Sequence, residues 1–211
     1  MNESLFQISH EIKNSLAVMK GYMALFDGSI EKYQKYMPYL EKSLNHSIEL
    51  LSDFKDIGNL DLNSDILDIN YLLEEIIELY KPILLDKGIK IRYRLEEELF
   101  VEGDYKRLKQ VFINILKNSI EATHGREDAC INIETSNCNN EIIITFKDNG
   151  IGMDKYTMEK VFTPFYTTKK YGTGLGMYIS KEIITKHNGN IECIPNDIGV
   201  SVKIKLNQYL I

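Results

Sequence analysis

The chain has 211 residues, 44% of them hydrophobic and 27% charged, with a formal net charge of −6. This is the make-up of an ordinary globular protein with room for one large domain or two small ones. The acidic balance argues against nucleic acid as the main partner, because phosphate binding needs clustered Lys and Arg.

No apolar run approaches the ~18 residues that a membrane span needs. The N-terminal "MNESLFQISHEIKNS" lacks the basic-then-apolar order of a signal peptide. Cys130, Cys138 and Cys193 form no C-x-x-C, so they read as reduced thiols and point to a cytoplasmic protein.

In chain order, apolar residues first recur at 5, 8, 12, 16, 19, 23 and 26, one stripe of a helix. "FDGSI" breaks the pattern. A second stripe runs through Tyr33, Met37, Leu40, Leu44, Leu51 and Phe54 to Gly58, with Pro38 predicting a kink or a late start. Two helices with a short connection form an antiparallel hairpin. So small a hairpin has little core of its own. Dimerisation into a four-helix bundle would bury the stripes; packing on the rest of the same chain is the competing solution.

"GNLDLNSD" is polar and turn-rich and reads as a linker. Beyond it, 70–88 reads as a helix with Asn70 as N-cap, 89–95 as a strand, and 104–124 as a long helix capped by Asp104. Strands follow at 130–135 and 141–148 around a "SNCNN" turn, then a helix at 176–189 and strands at 190–194 and 200–206. This order predicts an α/β sandwich, one sheet covered by helices on one face. The expected organisation is 1–60 hairpin, 61–66 linker and 67–211 second domain.

Four stretches carry candidate chemistry. In "SHEIKN", at about 100° per residue, His10 and Asn14 lie about 160° from the apolar stripe and face solvent together. Glu11 lies beside them. A carboxylate that holds one imidazole N–H leaves the other nitrogen free to attack; the plainer alternative is a solvated surface pair. In "NILKNSIEA", Asn114 and Asn118 are four apart and share a helix face, with Ile113, Leu116 and Ile120 turned to other directions. Amide oxygens suit Mg²⁺, though Asn also caps or solvates helices.

In "DNGIGM", Asp148 ends a strand at a glycine-spaced turn, where a carboxylate can accept from an exocyclic amine such as that of adenine. A plain D-N-G turn is the alternative. "GTGLG" opens a helix and forms an anion site, and "FTPFYTTKKY" before it has the look of a mobile lid. P-loop, Rossmann and Ser/Thr/Tyr-kinase signatures are absent from the sequence.

In order, "SHEIKN", "NILKNSIEA", "DNGIGM", "FTPFYTTK" and "GTGLGM" resemble the H, N, G1, F and G2 boxes of two-component sensor histidine kinases. The resemblance covers almost the whole chain, and the start has the flavour of sporulation-type kinases. It implies a dimerisation and phosphoacceptor hairpin followed by a Bergerat-type ATP-binding domain, as in Hsp90, gyrase B and MutL. It further implies ATP and Mg²⁺ as cofactors, a homodimer, a response-regulator partner, and no nucleic acid.

By this resemblance His10 is the phosphoacceptor, Glu11 the acid/base and orienting residue, and Asn14 the residue that positions water for dephosphorylation. Asn118 matches the principal Mg²⁺ ligand, with Asn114 beside the metal and phosphates. Asp148 matches the adenine-recognising carboxylate, in a pocket shaped by Gly150 and Gly152. Thr173, Gly174, Leu175 and Gly176 match the phosphate side of the lid, with Lys169 as a phosphate contact.

Two positions depart from the family. Ser15 stands where a helix-kinking Pro is usual, and Val200 where a Thr commonly supports the adenine site. His46, His124 and His187 are expected to have no catalytic role. With His10 so near the first residue, the chain is expected to be either the cytoplasmic portion of a larger membrane-associated kinase or a sensorless protein fed by a partner. Three other functions share the ATP fold: a phosphotransfer or docking module, a conformational ATPase, and an anti-sigma-type serine kinase.

Overall fold

The computed structural model describes residues 2–58, 61–169 and 172–210, with the backbone alone for 2–8, 11, 49 and 54–58. Leu5, Ile8 and Phe54 of the expected stripes therefore lie outside the described side chains. The chain divides into two compact units, Met1–Leu60 with Pro164–Leu175, and Asp61–Thr163 with Gly176–Ile211.

The first unit is built on α1 (Asn2–Ala24) and α2 (Ile30–Gly58). Their connection is a capped turn. Asp27 Oδ1 accepts the Ser29 N–H at 3.1 Å, and Lys32 Nζ lies 2.8 Å from Asp27 Oδ2. The Lys32 ammonium holds the Asp27 carboxyl well below the usual carboxylate range. The helix does not start late; it begins at Ile30 and runs through Pro38. Tyr22 of α1 stacks on Tyr39 of α2 with centroids 5.0 Å apart.

Within this unit the predicted stripes are largely uncovered. Leu16, Met23, Phe26, Tyr33, Leu44 and Leu51 are all exposed, whereas Leu50 is fully buried. An apolar face of this extent is unusual on a surface that meets only water.

The second unit holds a five-stranded sheet in the order β2 (Lys90–Arg94), β4 (Cys130–Cys138), β5 (Glu141–Asp148), β7 (Val200–Asn207), β6 (Asn190–Pro195). The β2–β4 pair is parallel and the others antiparallel. Alternation along β5 buries Ile142, Ile144, Phe146 and Asp148 on one face. That face is covered by α4 (Tyr105–Ala122) and α6 (Gly176–Lys186). Phe112 of α4 meets Phe146 at 5.9 Å between centroids; burying such a side chain contributes roughly 1.5–3 kcal/mol. The α/β sandwich read from the sequence is thus observed, with helices on one face.

Details differ from the sequence expectation. A two-stranded sheet, β1 (Asp65–Asp68) with β3 (Phe100–Gly103), and a short α5 (Lys155–Lys160) are additional. The helix expected at 70–88 is α3 (Ile69–Asp86), and its N-cap is Asp68, not Asn70. Asp68 accepts the N–H groups of Asn70 and Tyr71, while the Ile69 N–H goes to Leu99 O. Asp104 caps α4 as expected, accepting from Arg107.

The β4–β5 turn is tighter than "SNCNN". Only Asn139 and Asn140 lie outside the strands, both at positive φ (54° and 64°), as a two-residue hairpin of the I′ class requires. Cys130, Cys138 and Cys193 are free thiols. His187 is buried, and both ring nitrogens are engaged. Nε2 accepts the Asp104 N–H at 2.9 Å, so the proton sits on Nδ1 and goes to Ile183 O at 2.7 Å.

Candidate functional site

Asp148 anchors the site in the second unit. β5 carries it into the covered face of the sheet, where it is 5% exposed. Its Oδ1 accepts the backbone N–H of Gly150 at 2.9 Å and of Val200 at 3.4 Å, and its Oδ2 accepts the Ser119 hydroxyl at 3.3 Å. Burial pushes the carboxyl up from its ordinary range, and these three donors pull against that shift. A carboxylate offers about four lone-pair sites. Oδ2, with a single bond to Ser119, has capacity for a further N–H donor such as an exocyclic amine.

The turn after Asp148 is built by close backbone approach. A Cβ on Gly150 would lie 2.5 Å from Ala122 O at the end of α4, and the next residue donates its N–H to that carbonyl at 3.0 Å. Gly150 must therefore be glycine. Gly152 follows at φ 76°. Asn149 ties the turn outward, giving its amide to Asp128 O and accepting the Cys130 N–H, each at 2.8 Å. Val200, which lacks the threonine hydroxyl, serves the carboxylate through its backbone N–H.

On α4, Asn114 and Asn118 are half-buried and one turn apart. Asn114 turns to the start of α6, donating to Ser180 Oγ at 3.0 Å. Gly176 makes this possible, because a Cβ there would sit 2.5 Å from Asn114 Oδ1. The Asn114 amide nitrogen thus helps seat α6, the helix whose first residue is Gly176. Ser119, one residue beyond Asn118, was missed by sequence reasoning; a small polar residue beside the asparagines was its one available signal.

The remaining site residues fall in the first unit. His10 and Asn14 are exposed on α1, with Asn14 Nδ2 3.2 Å from His10 Nδ1. If the amide donates here, the imidazole proton is on Nε2. Turned end for end, the amide carbonyl takes the Nδ1 proton and leaves the Nε2 lone pair free. The side chain of Glu11 lies outside the described residues. In the Pro164–Leu175 segment, Lys169 is exposed and donates its N–H to Thr167 Oγ1 at 3.0 Å. Thr173 donates its hydroxyl to Asp53 Oδ2 at 2.9 Å and accepts the Leu175 N–H at 3.2 Å. Leu175 is buried, and Gly174 has φ 66°.

Residues 103–209 match the family model of the histidine kinase-, DNA gyrase B-, and HSP90-like ATPases. Sporulation kinase B of Bacillus subtilis (strain 168) is 30% identical over 98% of this chain and 49% of its own length. The chain belongs to the histidine kinase-, DNA gyrase B- and HSP90-like ATPases, and within them to the sensor histidine kinases.

Two solved structures agree with the kinase fold. The catalytic domain of histidine kinase ThkA is 31% identical over 69% of this chain and 96% of that chain, with a TM-score of 0.65. ThkA in complex with response regulator protein TrrA is 26% identical over 98% of this chain and 61% of that chain, with a TM-score of 0.80. The second likeness takes in the hairpin as well as the ATPase fold. The chain spans about half the length of sporulation kinase B. No described helix is long and apolar enough to cross a membrane.

Proposed function

We propose that the chain is the transmitter portion of a two-component kinase, a homodimer that phosphorylates His10 from Mg·ATP and passes the group to an aspartate of a response regulator. The observation that carries this reading is the solvent-facing His10–Asn14 pair, borne on a hairpin in a chain that matches a sporulation kinase over 98% of its length.

Each residue has a role in this account. Asp148 accepts the adenine amine on Oδ2, held in aim by Ser119, Gly150 and Val200. Asn118 offers an amide oxygen to Mg²⁺, and Asn114 keeps α6 seated one turn away; the ion, when bound, neutralises phosphate charge. Lys169, Thr173, Gly174, Leu175 and Gly176 supply a cation, a hydroxyl and backbone amides to the phosphates.

His10 attacks the γ-phosphorus through Nε2 while Nδ1–H is held by a neighbouring acceptor. The new N–P bond forms as the bond from phosphorus to the ADP oxygen breaks, and ADP leaves with that electron pair. Glu11 takes the Nδ1 proton. Asn14, one turn on, positions water when the chain removes phosphate from its partner. The exposed apolar residues of α1 and α2 support a dimer through the hairpin. The likeness to ThkA, solved with a response regulator, supports the partner class.

The test is incubation with Mg²⁺ and γ-labelled ATP, then with a purified receiver domain. Label on the chain that then moves to the receiver is the expected result. ATP turnover with no protein-bound label at any time would favour a conformational ATPase instead.

A further inference from the structure

Position 15, one residue beyond Asn14, holds α1 to α2 by an exchange of hydrogen bonds. Ser15 Oγ–H donates to Ser43 O at 2.8 Å, and Ser43 Oγ–H donates to Ser15 O at 2.9 Å. The two hydroxyl oxygens are themselves 2.9 Å apart. Ser47 donates to the same Ser43 carbonyl at 3.1 Å. Ser15 and Ser47 are each 6% exposed, so this is an internal polar layer.

Stability alone does not account for such a layer. Both carbonyls lie inside helices, where they already serve as acceptors, and a buried hydroxyl is costly to desolvate. Beside Ser47, His46 adds a buried Nδ1 with no hydrogen-bond partner among the described residues. Polar groups in a helical seam are best attested as devices that fix register, at a cost in stability. The exchange is suited to that use. Each serine recognises the backbone of the other helix at one residue, and a slide of one residue, about 1.5 Å, breaks both bonds.

We propose that the Ser15–Ser43 clasp is a positioning element for phosphoryl transfer, fixing the height and rotation of α1 so that the His10–Asn14 face is presented in one register. Ser15 is five residues from His10, about 7.5 Å along the axis, and on the inward side while His10 faces out. The clasp is therefore the nearest inter-helix polar contact described to the reacting imidazole. This inference rests on the autokinase reading.

The experiment compares the whole chain as wild type, Ser15→Ala/Ser43→Ala, and Ser43→Thr. Three quantities are measured: the thermal midpoint, deuterium exchange over residues 9–24, and the rate of label uptake from γ-labelled ATP. Removing both hydroxyls leaves no unpaired partner, so the midpoint is expected to hold or rise. Exchange is expected to quicken, and label uptake to fall at least tenfold. Ser43→Thr, which keeps the hydroxyl at a half-buried position, is expected to match wild type in all three.

Unchanged uptake in the double-alanine chain overturns the proposal, as does a loss of uptake that tracks a lowered midpoint, or an equal loss in Ser43→Thr. If the wild type takes no label, the kinase reading fails. The clasp is then judged on exchange, and unaltered exchange in the double-alanine chain overturns it.

Discussion

Ser119 on α4 gives its hydroxyl to Oδ2 of Asp148 at the end of β5, 3.3 Å away, with both side chains buried. One helix thus carries the amide expected to meet Mg²⁺ at position 118 and, at the next residue, the group that aims the adenine carboxylate. Removing this hydroxyl should weaken ATP binding without unfolding the chain. Ser119→Ala is expected to cost about 1 kcal/mol, the usual net worth of one hydrogen bond, which is roughly a fivefold rise in the dissociation constant. Calorimetric titration with a nonhydrolysable ATP analogue measures it, and unchanged affinity would remove Ser119 from the site.

Asp148→Asn separates charge from shape. The asparagine can keep both backbone bonds on its oxygen and give an N–H to Ser119, so the fold is retained. Charge-assisted bonds are worth about 1.5–3 kcal/mol, and nucleotide affinity should fall roughly tenfold to a hundredfold.

Stability of the nucleotide-free protein should move the other way. Burial raises the folded pKa of Asp148 above its unfolded value, so the folded state binds the proton more tightly. The wild type therefore loses stability as pH rises from the unfolded pKa through the folded one. Urea unfolding should find Asp148→Asn more stable than wild type above the folded pKa, with the gap narrowing as pH falls toward the unfolded one. A gap that widens on acidification would contradict the sign.

Gly176→Ala should drive a methyl into Asn114, whose Oδ1 would be 2.5 Å away. Overpacking of this kind costs about 1–3 kcal/mol. The cost should shrink in an Asn114→Ala background, where the obstructing amide is gone. Equal costs in both backgrounds, measured by chemical denaturation, would place the obstacle elsewhere.

His187 is structural in this account. His187→Leu strands the Asp104 N–H that now donates to Nε2, and an unsatisfied buried donor costs roughly 1–3 kcal/mol. Denaturation should register that loss, while nucleotide affinity measured below the unfolding transition stays at the wild-type value.

The sequence was legible where pattern and chemistry agreed. The strand at 141–148, the long helix at 104–124 with its Asp104 cap, and the outward face shared by His10 and Asn14 all followed from pattern and residue type. Asp68 was not distinguishable from Asn70 as a cap, because both satisfy the preference; the choice is made by the Ile69 N–H bond to Leu99, a tertiary contact.

The strands β1 and β3 are four residues long, and β1 has no buried residue to mark a face. The α5 helix likewise buries nothing among its six residues. The last residues of β4 escaped notice because 136–138 are all exposed, so no hydrophobic alternation signals the strand there. At the site, Asp148 and the glycines could be picked out by type. Ser119 and the backbone N–H of Val200 act through positions that the fold creates, and a Val in place of Thr conceals a contact that needs no side chain.

The most direct test of the account is the chemistry of the label. Wild type and His10→Ala are incubated with Mg²⁺ and γ-labelled ATP, and the products are treated with acid and with alkali. The account predicts label on the wild type that acid removes and alkali does not, and no label on His10→Ala, which still binds ATP normally. Acid-stable label, or label that persists in His10→Ala, would contradict it.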